Sequence, residues 1–217
     1  MQISRSKHSK EGRRSGPRQE PPSGHEQVPL ISEGELCLDL INSEHFDCRG
    51  RSGVQDHFTN PAWVAAFAHH WHLPVTPAPD ALAMAALRAL RALLRQMFEA
   101  AATGQPVTDA QLEELNAFLA LTLVMRQVQR SGPRVRLQTI LLQEGWLAVA
   151  SQIAASWVEV LESIPPTRLK VCANPDCHWV FIDQSHNVSR CWCRQRACGN
   201  LMKVRQFRAR ARGQSDR

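Results

Sequence analysis

The sequence contains no tyrosine, and aromatic residues make up only 6% of its 217 positions. A surface that stacks single-stranded bases needs aromatic rings, so their scarcity counts against that class of nucleic-acid binder. Apolar residues nowhere run on for the roughly twenty positions that a membrane span requires. A Gly-rich phosphate loop and a Gly-x-Ser-x-Gly nucleophile turn are also absent, which removes two common routes to an enzyme. The first 29 residues have almost no large apolar side chains. They lack the apolar centre of a signal peptide and cannot offset their own ordering entropy, so a disordered basic extension is expected over 1–29. Cysteine is missing from most of the chain: five of the seven lie within the 27 positions from Cys172 to Cys198, and the others are Cys37 and Cys48.

That one cluster organises the reading. With no export signal the thiols are expected to stay reduced, which disfavours disulfides and favours a soft metal. Zn²⁺ takes four tetrahedral ligands, usually thiolates in a structural site. Cys172 and Cys177 form one pair, bent by the turn Asn174-Pro175-Asp176. Cys193 and Cys198 form a second with the same spacing. Four cysteines complete the coordination, leave no open position for a catalytic water, and predict one Zn²⁺ per chain. Cys191 is the spare; it is either a free thiol or a ligand that exchanges with Cys193. His178 and His186 would each be a fifth ligand and are read as neighbours of the site.

The run from Cys172-Ala-Asn-Pro-Asp-Cys177 through Asp183, Asn187, Arg190 and Trp192-Cys193 to Cys198-Gly199-Asn200 resembles the CGNR zinc finger. That domain stands at the C-terminal end of bacterial proteins regarded as transcriptional regulators. The resemblance covers Leu169 to Arg212 and implies Cys172, Cys177, Cys193 and Cys198 as zinc ligands in a knuckle-plus-helix finger of the treble-clef type. The sequence departs from the pattern in two places: the name-giving arginine is Leu201, and a position that is usually basic is Cys191. Upstream, Leu38-Asp39-Leu40-Ile41-Asn42 resembles the opening Leu-Asp-x-x-Asn signature of the ABATE domain, which usually precedes that finger. The resemblance implies a ligand-sensing or dimerisation unit, with a small-molecule effector and a homodimer as further partners. Asp39 and Asn42, with Arg88 and Arg91, are the candidate effector contacts. The plainer reading is that Asp39 and Asn42 tie down a turn or cap a helix.

The net charge of +6 is unevenly spread. From Arg168 onward eleven Lys/Arg stand against three Asp/Glu, whereas Leu30 to Thr167 holds nine against fourteen. A basic end on an acidic body is the footprint of a nucleic-acid binder. Candidate DNA contacts are Arg194 and Arg196 at the metal loop, then Lys203, Arg205, Arg208, Arg210 and Arg212. Arg205, Arg208 and Arg212 fall on one helical face, with Val204 and Phe207 expected to pack inward.

Between the termini the pattern is mostly helical. Asn60-Pro61 opens a helix that closes on His69, His70 and His72, better placed to meet the dipole than to bind metal. A second helix spans Ala81 to Ala102 with Leu87, Leu90, Leu94 and Met97 inward, and Arg88, Arg91 and Arg95 form a stripe expected to be solvated. Thr108 and Gln111 form a capping box. Alternation on either side of Ser131-Gly132-Pro133 predicts a β-hairpin, and Trp146 to Ser163 is helical again. In the finger a strand is expected over His178 to Asp183 and a helix from Ser189, interrupted at Gly199-Asn200. The fold class is therefore mainly α with a small β-hairpin in the N-terminal domain, plus a small four-cysteine zinc finger as the C-terminal domain. The expected boundaries are 1–29 extension, 30–164 helical domain, 168–212 finger and 213–217 tail. Removing zinc is expected to unfold the finger and spare the helical domain. A cytoplasmic, nucleoid-associated regulator that binds DNA without membrane contact is the leading expectation. The alternative is a protein- or RNA-interaction finger without sequence-specific DNA binding.

Overall fold

The structure, a computed structural model, describes residues 33–49, 53–75 and 78–215. The extension expected over 1–29 lies outside those residues, while 213–215 of the expected tail continue the last helix. The elements run α1 (Leu36–Ile41), β1 (Glu44–Phe46), β2 (Val54–Asp56), α2 (Pro61–His70), α3 (Ala81–Ala102), α4 (Asp109–Leu119), β3 (Val124–Ser131), β4 (Arg134–Leu141), α5 (Trp146–Ser163), β5 (Leu169–Val171), β6 (Val180–Ile182) and α6 (Asn200–Ser215). Local chemistry sets the helix starts. The Asn60 side chain accepts from the Ala62 amide at 3.0 Å. Asp80 caps α3 through the Ala83 amide at 2.8 Å. Thr108 and Gln111 exchange both bonds of a capping box.

The core lies among α1, α3 and α5, where Leu38, Leu40, Ile41, Leu87, Leu90, Leu94, Met97, Phe98, Ile153 and Trp157 are fully buried. Each such side chain contributes about 1.5–3 kcal/mol by leaving water. Among the described residues the strands form three separate antiparallel pairs: β1 with β2, β3 with β4, and β5 with β6. The chain is thus mainly helical, with a β3–β4 hairpin, and its cysteine-rich end is built around β5 and β6.

The finger is less of a satellite than its sequence suggests. Leu169, Val180 and Ile182 from β5 and β6 belong to the same buried core as α1 and α3. A polar clamp fastens the contact: Asn42 Nδ2 donates to the Val180 carbonyl at 2.9 Å, and the Val180 amide donates to Asn42 Oδ1 at 3.0 Å. Arg95 adds a second tie, donating to the carbonyls of His178 (2.8 Å) and Ile41 (3.1 Å). Asn42→Ala would orphan two buried backbone groups and should cost about 2–4 kcal/mol in urea unfolding. A loss below ~0.5 kcal/mol, the range of an ordinary surface substitution, would remove the clamp from this account.

The arginine stripe of α3 is held by protein acceptors, and only Arg88 keeps substantial contact with solvent. Arg91 is buried and donates to Asp56 and to the Ser43 hydroxyl, Arg88 donates to Asp56, and Arg95 binds backbone carbonyls. Spacing alone could not show this, because the acceptors come from residues 32 to 83 positions away.

Candidate metal centre and basic helix

The sulfurs of Cys172, Cys177, Cys193 and Cys198 lie within 4.8 Å of one another, and all four residues are buried. Cys193 Sγ is 3.6 Å from both Cys177 Sγ and Cys198 Sγ. A tetrahedral zinc with Zn–S bonds of about 2.3 Å needs sulfur–sulfur edges near ~3.8 Å, so the donor set fits the ion. The knuckle forms because Asn174 turns the chain: its carbonyl accepts from the Cys177 amide (2.9 Å) and its Oδ1 from the Asp176 amide (3.3 Å). The same buried side chain donates to Cys198 Sγ at 3.5 Å and to the Cys48 carbonyl at 2.9 Å. The Cys193 amide points at Cys172 Sγ (3.4 Å). Amide donors to sulfur stabilise thiolates.

The second pair is presented differently from expectation. Residues 189–194 are not helical; a π-type turn spans Gln195–Gly199, and the regular helix starts at Asn200. The cause is a competing set of partners. Asp183 accepts from the amides of Ser185 (2.9 Å) and Arg190 (2.9 Å). The Arg190 guanidinium lies 4.2 Å over the Phe181 ring and donates to the carbonyls of Trp192 and Cys193. Those bonds hold the ligand loop extended.

Four thiols this close compete for charge. Hydrogen bonds from Cys177 and Cys193 draw the Cys172 thiol well down, and the same contacts push Cys177 and Cys193 up. A dication ends the competition by letting every sulfur ionise. Cys48, far away in sequence, packs against this cluster, and burial followed by the nearby Cys198 raises its thiol. No motif marked it. Cys191 is exposed, and its carbonyl accepts from the Ala173 amide at 2.9 Å.

A family model described as a putative stress-induced transcription regulator, ABATE, matches residues 34–164, and the CGNR zinc finger model matches 168–211. The chain belongs to the ABATE family. Both resemblances read from the sequence are borne out, and the CGNR finger with its four clustered, buried cysteines carries one zinc ion. No curated protein matches the chain. Among the described residues no helix is long and apolar enough to cross a membrane.

On the ABATE side the four candidate effector contacts are engaged with protein. Asp39 accepts from the Glu33 amide (2.8 Å) and from Trp71 Nε1 (3.0 Å), Asn42 clamps Val180, and Arg88 and Arg91 hold Asp56. On the finger side Arg194, Arg196, Lys203, Arg208, Arg210 and Arg212 are exposed, whereas Arg205 is half-buried and tied to Asp176 at 2.6 Å. Val204 and Phe207 do not pack inward: Phe207 is 74% exposed. Helix α6 leaves the finger after the π turn, and every residue from Gln206 to Arg212 is exposed.

Proposed function

We propose that the protein is a zinc-dependent, DNA-binding transcription regulator, in which Cys172, Cys177, Cys193 and Cys198 hold the zinc and α6 meets the duplex. The observation that carries this reading is the placement of α6. It begins two residues after Cys198, so the metal fixes its root, and Lys203, Arg208, Arg210 and Arg212 stand exposed along it. At that root a cleft of ≈ 500 Å³ is lined by Arg49, Arg196, Arg205 and Arg208, a charge pattern suited to a phosphate. The Asp176 contact costs Arg205 part of its availability, so it positions the helix as much as it binds. A homodimer would present two such helices to one duplex.

Phosphate contacts release counterions, so affinity for a duplex should fall with salt on a log–log slope of about −4 to −5 for five contacts. Arg208→Ala with Arg212→Ala should make that slope shallower by roughly 2 and leave zinc content unchanged. An anisotropy titration in which this pair changes nothing would overturn the reading. A second reading has its own support: exposed Val204 and Phe207 on a helix that lacks the family arginine at Leu201 suit a protein or RNA partner. Phe207→Ala would then abolish capture while the salt slope stayed as it was.

A further inference from the structure

The β3–β4 hairpin projects from the body of the protein. All eight residues of β3 are exposed, and β4 is exposed from Arg134 through Thr139. The two strands pack chiefly on each other. The register pairs Val124 with Leu141, Val128 with Leu137 and Arg130 with Val135. Because side chains alternate along a strand, one face gathers Val124, Val128, Val135 and Leu137 together with Arg126 and Arg130. The opposite face is polar towards the tip, with Gln127 opposite Gln138 and Gln129 opposite Arg136, and has Met125 and Ile140 only at its base. The first face is what a strand buries, yet Val128 is 65% exposed and Leu137 63%. An isolated two-stranded hairpin is marginal in water, and an apolar face of this kind marks an interaction site.

Charge identifies the occupant. Residues 123–142 hold four arginines and no carboxylate, while the rest of the segment from Leu30 to Thr167 holds five arginines and fourteen carboxylates. Many of those acids are on the surface, among them Asp80, Glu99, Asp109, Glu113, Glu144 and Glu159. Leu82 near the start of α3 and Leu112 on α4 are exposed on the same acidic body. The body of the protein therefore offers exposed apolar side chains on a surface whose charge is opposite in sign to that of the arm. We propose that the β3–β4 hairpin is a dimerisation arm whose apolar face packs on the acidic helical body of a second copy. Reciprocal exchange of two arms closes on itself about a two-fold axis, the commonest symmetry of soluble oligomers. Each arm of eight-residue strands reaches roughly 26 Å at ~3.3 Å per residue, far enough to leave its own body.

This inference is independent of the DNA reading, and its test contains no DNA in the first arm. Sedimentation equilibrium of the zinc-loaded full chain should give the mass of two chains. Val128→Asp with Leu137→Asp should raise the dissociation constant by about a hundredfold or more, with unchanged helical circular dichroism because both sites are exposed within one chain. Gln129→Asp with Gln138→Asp, on the polar face, should leave the dimer intact. Arg126→Glu with Arg130→Glu should weaken it, and added salt should weaken the unmodified dimer. A single-chain mass at every concentration overturns the proposal, as does a dimer indifferent to the Val128/Leu137 pair. If instead the protein is monomeric and Arg126→Glu with Arg130→Glu reduces duplex binding, the proposal is overturned and the arm is a nucleic-acid contact.

Discussion

Chelating zinc should melt more than the finger. Structural zinc in small fingers contributes an apparent ~10–16 kcal/mol at neutral pH, comparable to the stability of a whole domain. Without the ion, β5 and β6 keep only their contacts with the helical core and the Asn42 clamp, because the other buried cluster beside them is made of the four thiols, Trp179 and Phe181. Losing those strands uncovers Leu169, Val180 and Ile182, which belong to the helical core. At about 1.5–3 kcal/mol each, that is roughly 4–9 kcal/mol taken from the helical domain as well. Calorimetry of the metal-free protein should show the main helical transition lowered by at least about 10 °C. The Cys177→Ser protein should behave likewise, whereas Cys191→Ser should keep both its zinc and its transition. A helical transition unmoved by chelation would restore the picture of two independent domains, which the cysteine pattern by itself suggests.

Asp56→Ala should be the most damaging single change away from the metal. Arg91 is only 6% exposed and donates to both Asp56 oxygens (2.8 and 3.2 Å) and to the Ser43 hydroxyl (2.9 Å). Removing the carboxylate leaves a buried guanidinium with only the longer Glu44 contact at 3.8 Å as counter-charge, which costs up to about 3–5 kcal/mol. The pair itself is less valuable than its breakage suggests: Asp56→Ala combined with Arg91→Met should lose less than Asp56→Ala alone. Arg88→Ala should cost under ~1 kcal/mol, since its side chain is 47% exposed. Burial opposes ionisation of Asp56, but the Arg91 and Arg88 contacts outweigh it and hold the carboxyl below its ordinary range. A carboxylate whose pKa is depressed by folding stabilises the protein above its unfolded pKa of about 3.9, and that contribution fades as pH falls through the folded value. Urea unfolding at neutral pH and near pH 3 should therefore bring unmodified and Asp56→Ala proteins closer together in acid. An undiminished gap would assign the loss to packing.

The helix limits and the hairpin were readable because they depend on neighbours in sequence. Asn60-Pro61, Asp80, the Thr108/Gln111 box and Gly132-Pro133 act within a few residues, and α3 and α5 occupy the spans that their spacing predicted. The thiol cluster was readable for the same reason, as two short loops each bring their own pair. What escaped were partners brought together by tertiary contact. Asn42 pairs with a backbone 138 positions away, and Cys48 and Asn174 meet across 126. The region before Cys193 misled because helical spacing there is overruled by the Asp183 and Arg190 bonds. Phe207 misled because its inward-looking spacing lies on a helix that has already left the core, where the ring stays in solvent.

The shared core also sets an order of events at the ribosome. Helix α3 is complete at Ala102, but the strands that cover it and α1 end only at Ile182, 80 residues later. At about 5–20 residues per second the nascent helices wait roughly 4–16 s with part of their apolar surface open. A holding chaperone is the natural companion for such an interval. A message cut after codon 164, where the first family match stops, would make that interval permanent, and its product should collect in aggregates instead of as a free-standing domain.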